Sequence, residues 1–247
     1  MKKYFEDYKL LLRSIPGAIT AVYCVAVVAM NLMANKIIFN SHFVAADGGI
    51  LLSWIPFLCM DMVVKRYGPR AANKLNIFAL VVNLGMVGIF SAISAIQIDV
   101  GAEYAQGDIY SSFNGVFSCT WFVLLGSSVA FIAAGLINSF LNWSIGKMFK
   151  KNPDGKLAYV TRSYISTFVG QFADNLLFAT IVFMLFAPIY WGYSLTLLQC
   201  VGSATVGAVL ELVMEVIFSP IGYTVTKRWK KENVGAEYIK LYAPEAV

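Results

Sequence analysis

Long stretches without charged residues are the feature that most limits what this chain can fold into. Residues 75–98, for example, contain no charged side chain, and about 20 such residues in a helix cross the hydrocarbon core of a bilayer. Only 13% of the residues are charged, against about 25% in a soluble domain. The chain therefore has too few charges to cover the surface of a soluble enzyme, and we predict an all-α, multi-pass membrane protein.

The apolar stretches predict six spans within one transmembrane domain, residues 1–247. The first span begins at Pro16, because proline suits the first turn of a helix. The short second span contains Pro56 in its middle, where it leaves the carbonyl of Leu52 without its usual donor. This predicts either a packed kink or a broken helix whose free backbone groups line a site in mid-membrane. Tyr67-Gly68-Pro69 is predicted to end that span. The predicted spans are about residues 16–39, 48–64, 75–98, 118–146, 163–189 and 193–226.

The basic residues predict the orientation. Of the 19 Lys and Arg residues, all but Lys36 lie before span one or after spans two, four and six. The intervening loops carry the acids Asp47, Asp99, Glu103 and Asp108. Because short loops rich in Lys and Arg remain cytoplasmic, both termini are predicted to be cytoplasmic, with the protein in the cytoplasmic (inner) membrane. The net charge of +5 thus reflects orientation and does not indicate nucleic-acid binding.

Four carboxylates lie within the predicted spans: Asp61, Asp174, Glu211 and Glu215. Ionisable residues at membrane depth are costly and commonly mark ligand or proton sites. Asp174 is the first choice for binding a substrate, and Asp61 or Glu211 is the second. Since Glu211 and Glu215 lie one turn apart, at least one is expected to hold a proton or to have a cationic partner. Asp61, Glu211 and Glu215 are also the candidates for a proton relay.

Uncharged polar residues in the same spans could complete a binding site. Gln171 and Asn175 flank Asp174, and Trp54 lies beside Pro56, where its ring could stack on a flat ligand. The further candidate amide contacts are Asn31, Asn35 and Asn138. Asparagines also join membrane helices without any ligand, and that alternative remains open for all three. Small residues at four-residue steps, such as Ser203 and Gly207, are interpreted as packing surfaces.

The residue types needed for metal or covalent chemistry are sparse. His42 is the single histidine, and the four cysteines have unrelated spacings within apolar stretches. We therefore expect no metal site, no cofactor and no enzymatic activity. An ion channel with a ring filter is not indicated, because the acids lie on several helices at different depths.

Two stretches resemble one family. The first consists of Pro56-Phe57, Asp61, Val64-Lys65, Tyr67-Gly68 and Ala71, and the second of Ser166-Thr167, Asp174 and Phe178. Over about residues 20–230 the chain resembles the queuosine precursor transporter family, also called the vitamin uptake transporter (VUT) family. It departs from the family at Asn138, where members often carry Asp, and at Lys65-Arg66, where many carry an acid.

The resemblance implies uptake of the 7-deazaguanine precursors of queuosine, namely the 7-cyano and also the 7-aminomethyl form. It also implies a fold similar to the substrate-binding subunits of energy-coupling-factor transporters, working without their ATPase module. The expected partners are a nucleobase-like small molecule and the lipid bilayer, and a homo-oligomer is left open. The alternatives are a substrate-capture subunit that docks on an ATPase, or uptake of another purine-like or vitamin-like molecule. Span one lacks the pair of alanines four residues apart with which such subunits commonly dock.

Overall fold

The computed structural model describes residues 2–96, 108–118, 120–148 and 156–242, and these residues are mostly helical. The elements, in chain order, are α1 (Lys2–Ser14), α2 (Gly17–Met33), β1 (Ile37–Asn40), β2 (Ala45–Asp47), a 3-10 turn (Gly48–Leu51), α3 (Trp54–Tyr67), α4 (Pro69–Ala95), α5 (Asp108–Phe117), α6 (Thr120–Met148), α7 (Lys156–Ala179), a π-helical segment (Thr180–Phe186), α8 (Ala187–Tyr190), α9 (Leu197–Lys231) and α10 (Ala236–Tyr242).

Several helices are long and apolar enough to cross a membrane. Among the described residues these are Pro69–Ala95, Ser111–Ala134, Phe168–Tyr190 and Leu197–Phe218, and α1 with α2, bent by 100°, forms a fifth if the pair is one span. At about 1.5 Å per residue, the 14 residues of α3 reach about 21 Å, short of the ~30 Å hydrocarbon core. The chain is thus a multi-pass membrane protein, and the number of six spans remains a prediction.

The first predicted span extends too far along the chain. Helix α2 ends at Met33 rather than at Phe39, and Ile37–Asn40 form a strand that pairs with Ala45–Asp47 in an antiparallel hairpin. The amide of Asn35 donates to the carbonyl of Leu32 at 2.9 Å, which satisfies an acceptor at the helix end. The β-branched residues that follow favour extended backbone.

The prediction that Pro56 breaks a helix in mid-span is wrong. Pro56 is the third residue of α3, where the missing N–H would have no partner within the helix in any case. The carbonyl of Leu52 is not left without a donor, because the N–H of Ile55 donates to it at 3.0 Å. Helix α3 therefore begins at this site and is not kinked by it.

The predicted end of α3 is confirmed. Gly68 has a φ of 84° and donates its N–H to the carbonyl of Val64 at 2.9 Å. Such a positive φ suits glycine because it lacks a Cβ. Pro69 then opens α4, so the two helices meet with one residue between them.

The chain divides into two compact units. Unit 1 comprises Met1–Met30, Leu51–Met86 and Met214–Val247, and unit 2 comprises Asn31–Ile50 and Val87–Val213. Helices α2, α4 and α9 each contribute residues to both units. The prediction of a single domain stays a prediction.

In unit 1, Tyr67 at the end of α3 contacts the end of α1 and the segment before α10. Its side chain is 1% exposed, and its hydroxyl donates to the carbonyl of Ser14 at 2.6 Å. Burial raises the pKa of this hydroxyl to about 12, so it remains a donor at neutral pH. The neighbouring Arg66 is also buried and donates to the carbonyl of Val234 at 3.1 Å. Arg66 and Tyr67 therefore connect α3 to the end of α1 and to the segment before α10.

In unit 2, the β1–β2 hairpin is bonded to the first turns of α9. The Gln199 amide donates to Asn40 Oδ1 at 3.0 Å and to the carbonyl of Ser41 at 2.9 Å. The N–H of Ala45 donates to Ser203 Oγ at 3.0 Å. A Cβ added to Gly202 would lie 1.9 Å from the carbonyl oxygen of Phe43, so only glycine allows this contact. Gly202 is thus a packing residue of α9, although the predicted packing positions do not include it.

The contact between Gly235 and Tyr67 yields a stability prediction. A Cβ at Gly235 would lie 2.2 Å from Tyr67 Cε1, and the φ of Gly235 is +69°. Gly192 has a φ of +71° but nothing within 4 Å. We expect Gly192→Ala to lower the free energy of unfolding only by the backbone cost of about 1–2 kcal/mol. Gly235→Ala should lower it clearly more. The two losses are compared through the unfolding temperatures of the variants in detergent. Equal losses would contradict the packing described for Tyr67.

Asp47, in the hairpin and outside the spans, predicts a pH dependence. Its carboxylate accepts the N–H of Gly49 at 2.7 Å, yet burial raises its pKa to about 6 from an ordinary 3.8. The folded protein therefore holds a proton that the unfolded chain has released, so stability falls as pH rises through about 4 to 6. The melting temperature of Asp47→Asn minus that of wild type should increase over this interval. A constant difference would refute the shift, and Glu232→Gln, at an exposed carboxylate, is the matched control.

Candidate functional site

Three polar side chains of α7 share one face of the helix in unit 2. Gln171, Asp174 and Asn175 follow the three- and four-residue spacing that brings side chains together on a helix. Gln171 is 4% exposed, and its Oε1 has no hydrogen-bond partner. Asp174 Oδ1 is likewise buried without a partner. Buried acceptors without donors cost about 1–3 kcal/mol each, so this face is suited to a ligand that supplies donors.

Glu211 joins this face from α9. It is 4% exposed, and its Oε2 accepts the side-chain amide of Asn175 at 3.3 Å. The structure therefore brings together Asn175 and Glu211, two residues that the sequence proposes separately. Their hydrogen bond fixes one Glu211 oxygen and uses one amide hydrogen of Asn175.

Gly207, one turn before Glu211, makes room for Asn175. A Cβ at Gly207 would lie 2.8 Å from Asn175 Nδ2 and 3.1 Å from Asn175 Cγ. This contact agrees with the prediction that Gly207 lies at a packing surface, although the sequence does not identify Asn175 as its neighbour. The four-residue step from Gly207 to Glu211 was the available signal, but the position of Asn175 against it depends on how α7 packs on α9.

The group contains two acidic residues, Asp174 and Glu211. Among the unit 2 side chains that the structure describes, Lys36 is the basic one, and it is exposed. We term the group of Gln171, Asp174, Asn175 and Glu211 the acceptor cluster, because its unpartnered atoms, Gln171 Oε1 and Asp174 Oδ1, are hydrogen-bond acceptors.

Two further candidate asparagines, Asn31 in α2 and Asn35 just after it, belong to unit 2 as well. Asn31 is 3% exposed. Asn35 donates its amide to the carbonyls of Leu32 and Asn31, so that donor caps the helix end. Its Oδ1 is buried without a partner and adds another acceptor to the unit. Their role as ligand contacts stays a prediction.

Trp54 lies in unit 1 and already has an aromatic neighbour. Its ring stacks on Phe218 with centroids 4.2 Å apart and planes 14° apart, and its Nε1 donates to the carbonyl of Leu51 at 3.1 Å. Asp61 and Glu215 are on the unit 1 parts of α3 and α9, and Asn138 is on α6 in unit 2, but their side chains lie outside the described part of the structure. The proposed roles of these four residues stay predictions.

The sequence model of one protein family, described as "Putative vitamin uptake transporter", matches residues 47–225. The match covers more than half of the chain and includes α3, α7 and most of α9. No curated protein and no solved structure matches the chain.

The contact of Gly207 with Asn175 can be tested by substitution. Gly207→Ala should lower the unfolding temperature, because the new methyl group displaces the Asn175 amide from Glu211. Gly88→Ala is the control, since Gly88 is helical with nothing within 4 Å and alanine favours helix there by about 0.5–1 kcal/mol. The double variant Gly207→Ala with Asn175→Ala should lose less unfolding free energy than the two single variants lose together. Strict additivity would show that the two residues are not in contact.

Proposed function

The chain belongs to the vitamin uptake transporter family, and from this membership we propose that it imports a 7-deazaguanine precursor of queuosine. The proposed substrates are 7-cyano-7-deazaguanine and 7-aminomethyl-7-deazaguanine. The family match supports transport of a vitamin-like molecule, and the resemblance of the two motifs supports the queuosine precursors within that class.

One observation carries the proposal: the acceptor cluster lies on helices that are apolar enough to cross a membrane. A deazaguanine presents a ring N–H and an exocyclic amine on one edge. A carboxylate can accept both in a bidentate pair, and Asp174 is the proposed acceptor. The free carbonyl of Gln171 would take a further donor, and Asn31, Asn35 and Asn138 are proposed as secondary contacts.

We further propose the architecture that this function needs. Six spans with both termini cytoplasmic, in the inner membrane, would give a fold similar to the substrate-binding subunits of energy-coupling-factor transporters. Glu211, Glu215 and Asp61 are the proposed proton relay. Because Pro56 does not break α3, alternating access cannot rely on a kink there and would instead involve rocking of whole helices.

The second candidate function is a substrate-capture subunit that docks on a separate ATPase module. The absence of alanines four residues apart in span one disfavours this alternative. Purification from native membranes distinguishes the two, because stable co-purification of an ATPase would favour the capture subunit.

The role of Asp174 is tested by uptake of 7-cyano-7-deazaguanine into cells that cannot make it. Loss of a charge-assisted bidentate contact costs about 1.5–3 kcal/mol per bond, so Asp174→Asn should reduce uptake by roughly tenfold or more at limiting substrate. Glu232→Gln, which removes an exposed carboxylate in unit 1, should transport normally. Full uptake by Asp174→Asn would exclude the assigned role.

A further inference from the structure

The contacts within unit 1 bring several helices together at one end of the unit. The Tyr67 hydroxyl joins the end of α3 to the end of α1, and Arg66 joins it to the segment between α9 and α10. The first turns of α4 are attached to α1 through the ion pair of Lys74 with Asp7, and α1 packs on α10. Helices α1 and α10 therefore lie where α3 and α9 end and α4 begins.

This end of unit 1 borders apolar helix segments that are suited to a bilayer. Residues 75–98 follow Lys74 without a charged side chain, and residues 216–226 precede Lys227 in the same way. Because an apolar segment that crosses a bilayer ends near the lipid headgroups, Lys74 and Lys227 mark the level of one membrane surface. Helix α1 is bent by 100° from α2, so α1 lies along that surface rather than across it.

Several helices carry exposed basic side chains at this end. In α1, Leu11 and Ile15 are buried in the core of unit 1, whereas Lys9 and Arg13 are exposed. The exposed lysines at the end of α9 follow the three- and four-residue spacing of one helix face. We term these exposed residues, together with one in α10, the basic end: Lys9, Arg13, Lys227, Lys230, Lys231 and Lys240.

The acids of unit 1 do not balance its basic residues. The sequence of the unit contains 13 Lys and Arg residues against 7 Asp and Glu residues. Two of these acids have basic partners already, since Asp7 pairs with Lys74 and Glu232 accepts from Arg228 at 2.8 Å. The basic end therefore presents net positive charge, which complements an anionic surface.

We propose that the basic end binds the headgroups of anionic phospholipids. A lysine stem lies along apolar surface while its ammonium group reaches a phosphate, and each Lys or Arg near a bilayer adds attraction to anionic lipid. Tyr223 and Leu241, 61% and 59% exposed, lie near Lys227 and Lys240 in the chain and supply the apolar contact typical of helices at a bilayer surface.

The predicted orientation agrees with this partner, because the sequence predicts that this end of unit 1 is cytoplasmic and anionic lipids are concentrated in the cytoplasmic leaflet. The inference concerns a surface of unit 1 and does not depend on which molecule is transported.

The test titrates the purified full-length chain in detergent with dioleoyl phosphatidylglycerol or dioleoyl phosphatidylcholine, which have the same acyl chains. The apparent affinity is obtained from the rise in unfolding temperature. We expect phosphatidylglycerol to bind at least about tenfold more tightly. About 1 M salt, which screens charges beyond about 3 Å, should remove most of this preference. Free glycerol phosphate, which has the headgroup charge without the chains, should not raise the unfolding temperature.

Two sets of substitutions test the residues. Lys227→Gln combined with Lys230→Gln and Lys231→Gln should reduce the preference to within about threefold. Lys9→Gln with Arg13→Gln changes a different helix and should reduce it in the same direction, which keeps the test open if the triple variant does not fold. Lys36→Gln, which removes an exposed charge of unit 2, should leave the preference unchanged.

Equal affinities of the wild-type protein for the two lipids would overturn the inference, and so would a preference that persists in both sets of variants. A rise of the same size with free glycerol phosphate would also overturn it, because the site would then bind simple anions rather than lipid.

Discussion

A polar group inside a membrane protein must find a partner there, because the surrounding hydrocarbon offers none. In helices α7 and α9, some polar groups meet this requirement and others do not. The Asn175 amide donates to Glu211 Oε2, whereas Gln171 Oε1 and Asp174 Oδ1 have no partner. Buried acceptors without donors cost about 1–3 kcal/mol each. The unsatisfied acceptors are the observation on which the proposed binding of a ligand rests.

Much of the helical architecture could be predicted from the sequence, since long charge-free stretches and glycine-proline boundaries have direct physical consequences. Tyr67-Gly68-Pro69 ends α3 as expected, because a positive φ and a missing N–H are properties of single residues. The interpretation of Pro56 was wrong because its effect depends on where the helix begins. The end of α2 at Met33 was missed because the hairpin after it is held by Gln199 and Ser203, far away in the sequence.

The individual residues of the candidate site could be predicted from the sequence, but the contacts between them could not. Spacing along α7 places Gln171, Asp174 and Asn175 on one face, which needs only helical geometry. The contact of Asn175 with Glu211, and the need for glycine at position 207, arise from the packing of α7 against α9. The sequence does not show how closely α7 and α9 pack. Because of this packing, Gly207 leaves the space in which the Asn175 amide reaches the Glu211 carboxylate.

The central claim is that this chain alone carries a small molecule across a membrane. The most direct measurement is uptake of labelled 7-deazaguanine precursor into liposomes that contain only the purified protein. The account predicts saturable accumulation without ATP or a second protein, above the level of liposomes without protein. Uptake that appears only when an ATPase module and ATP are supplied would contradict it.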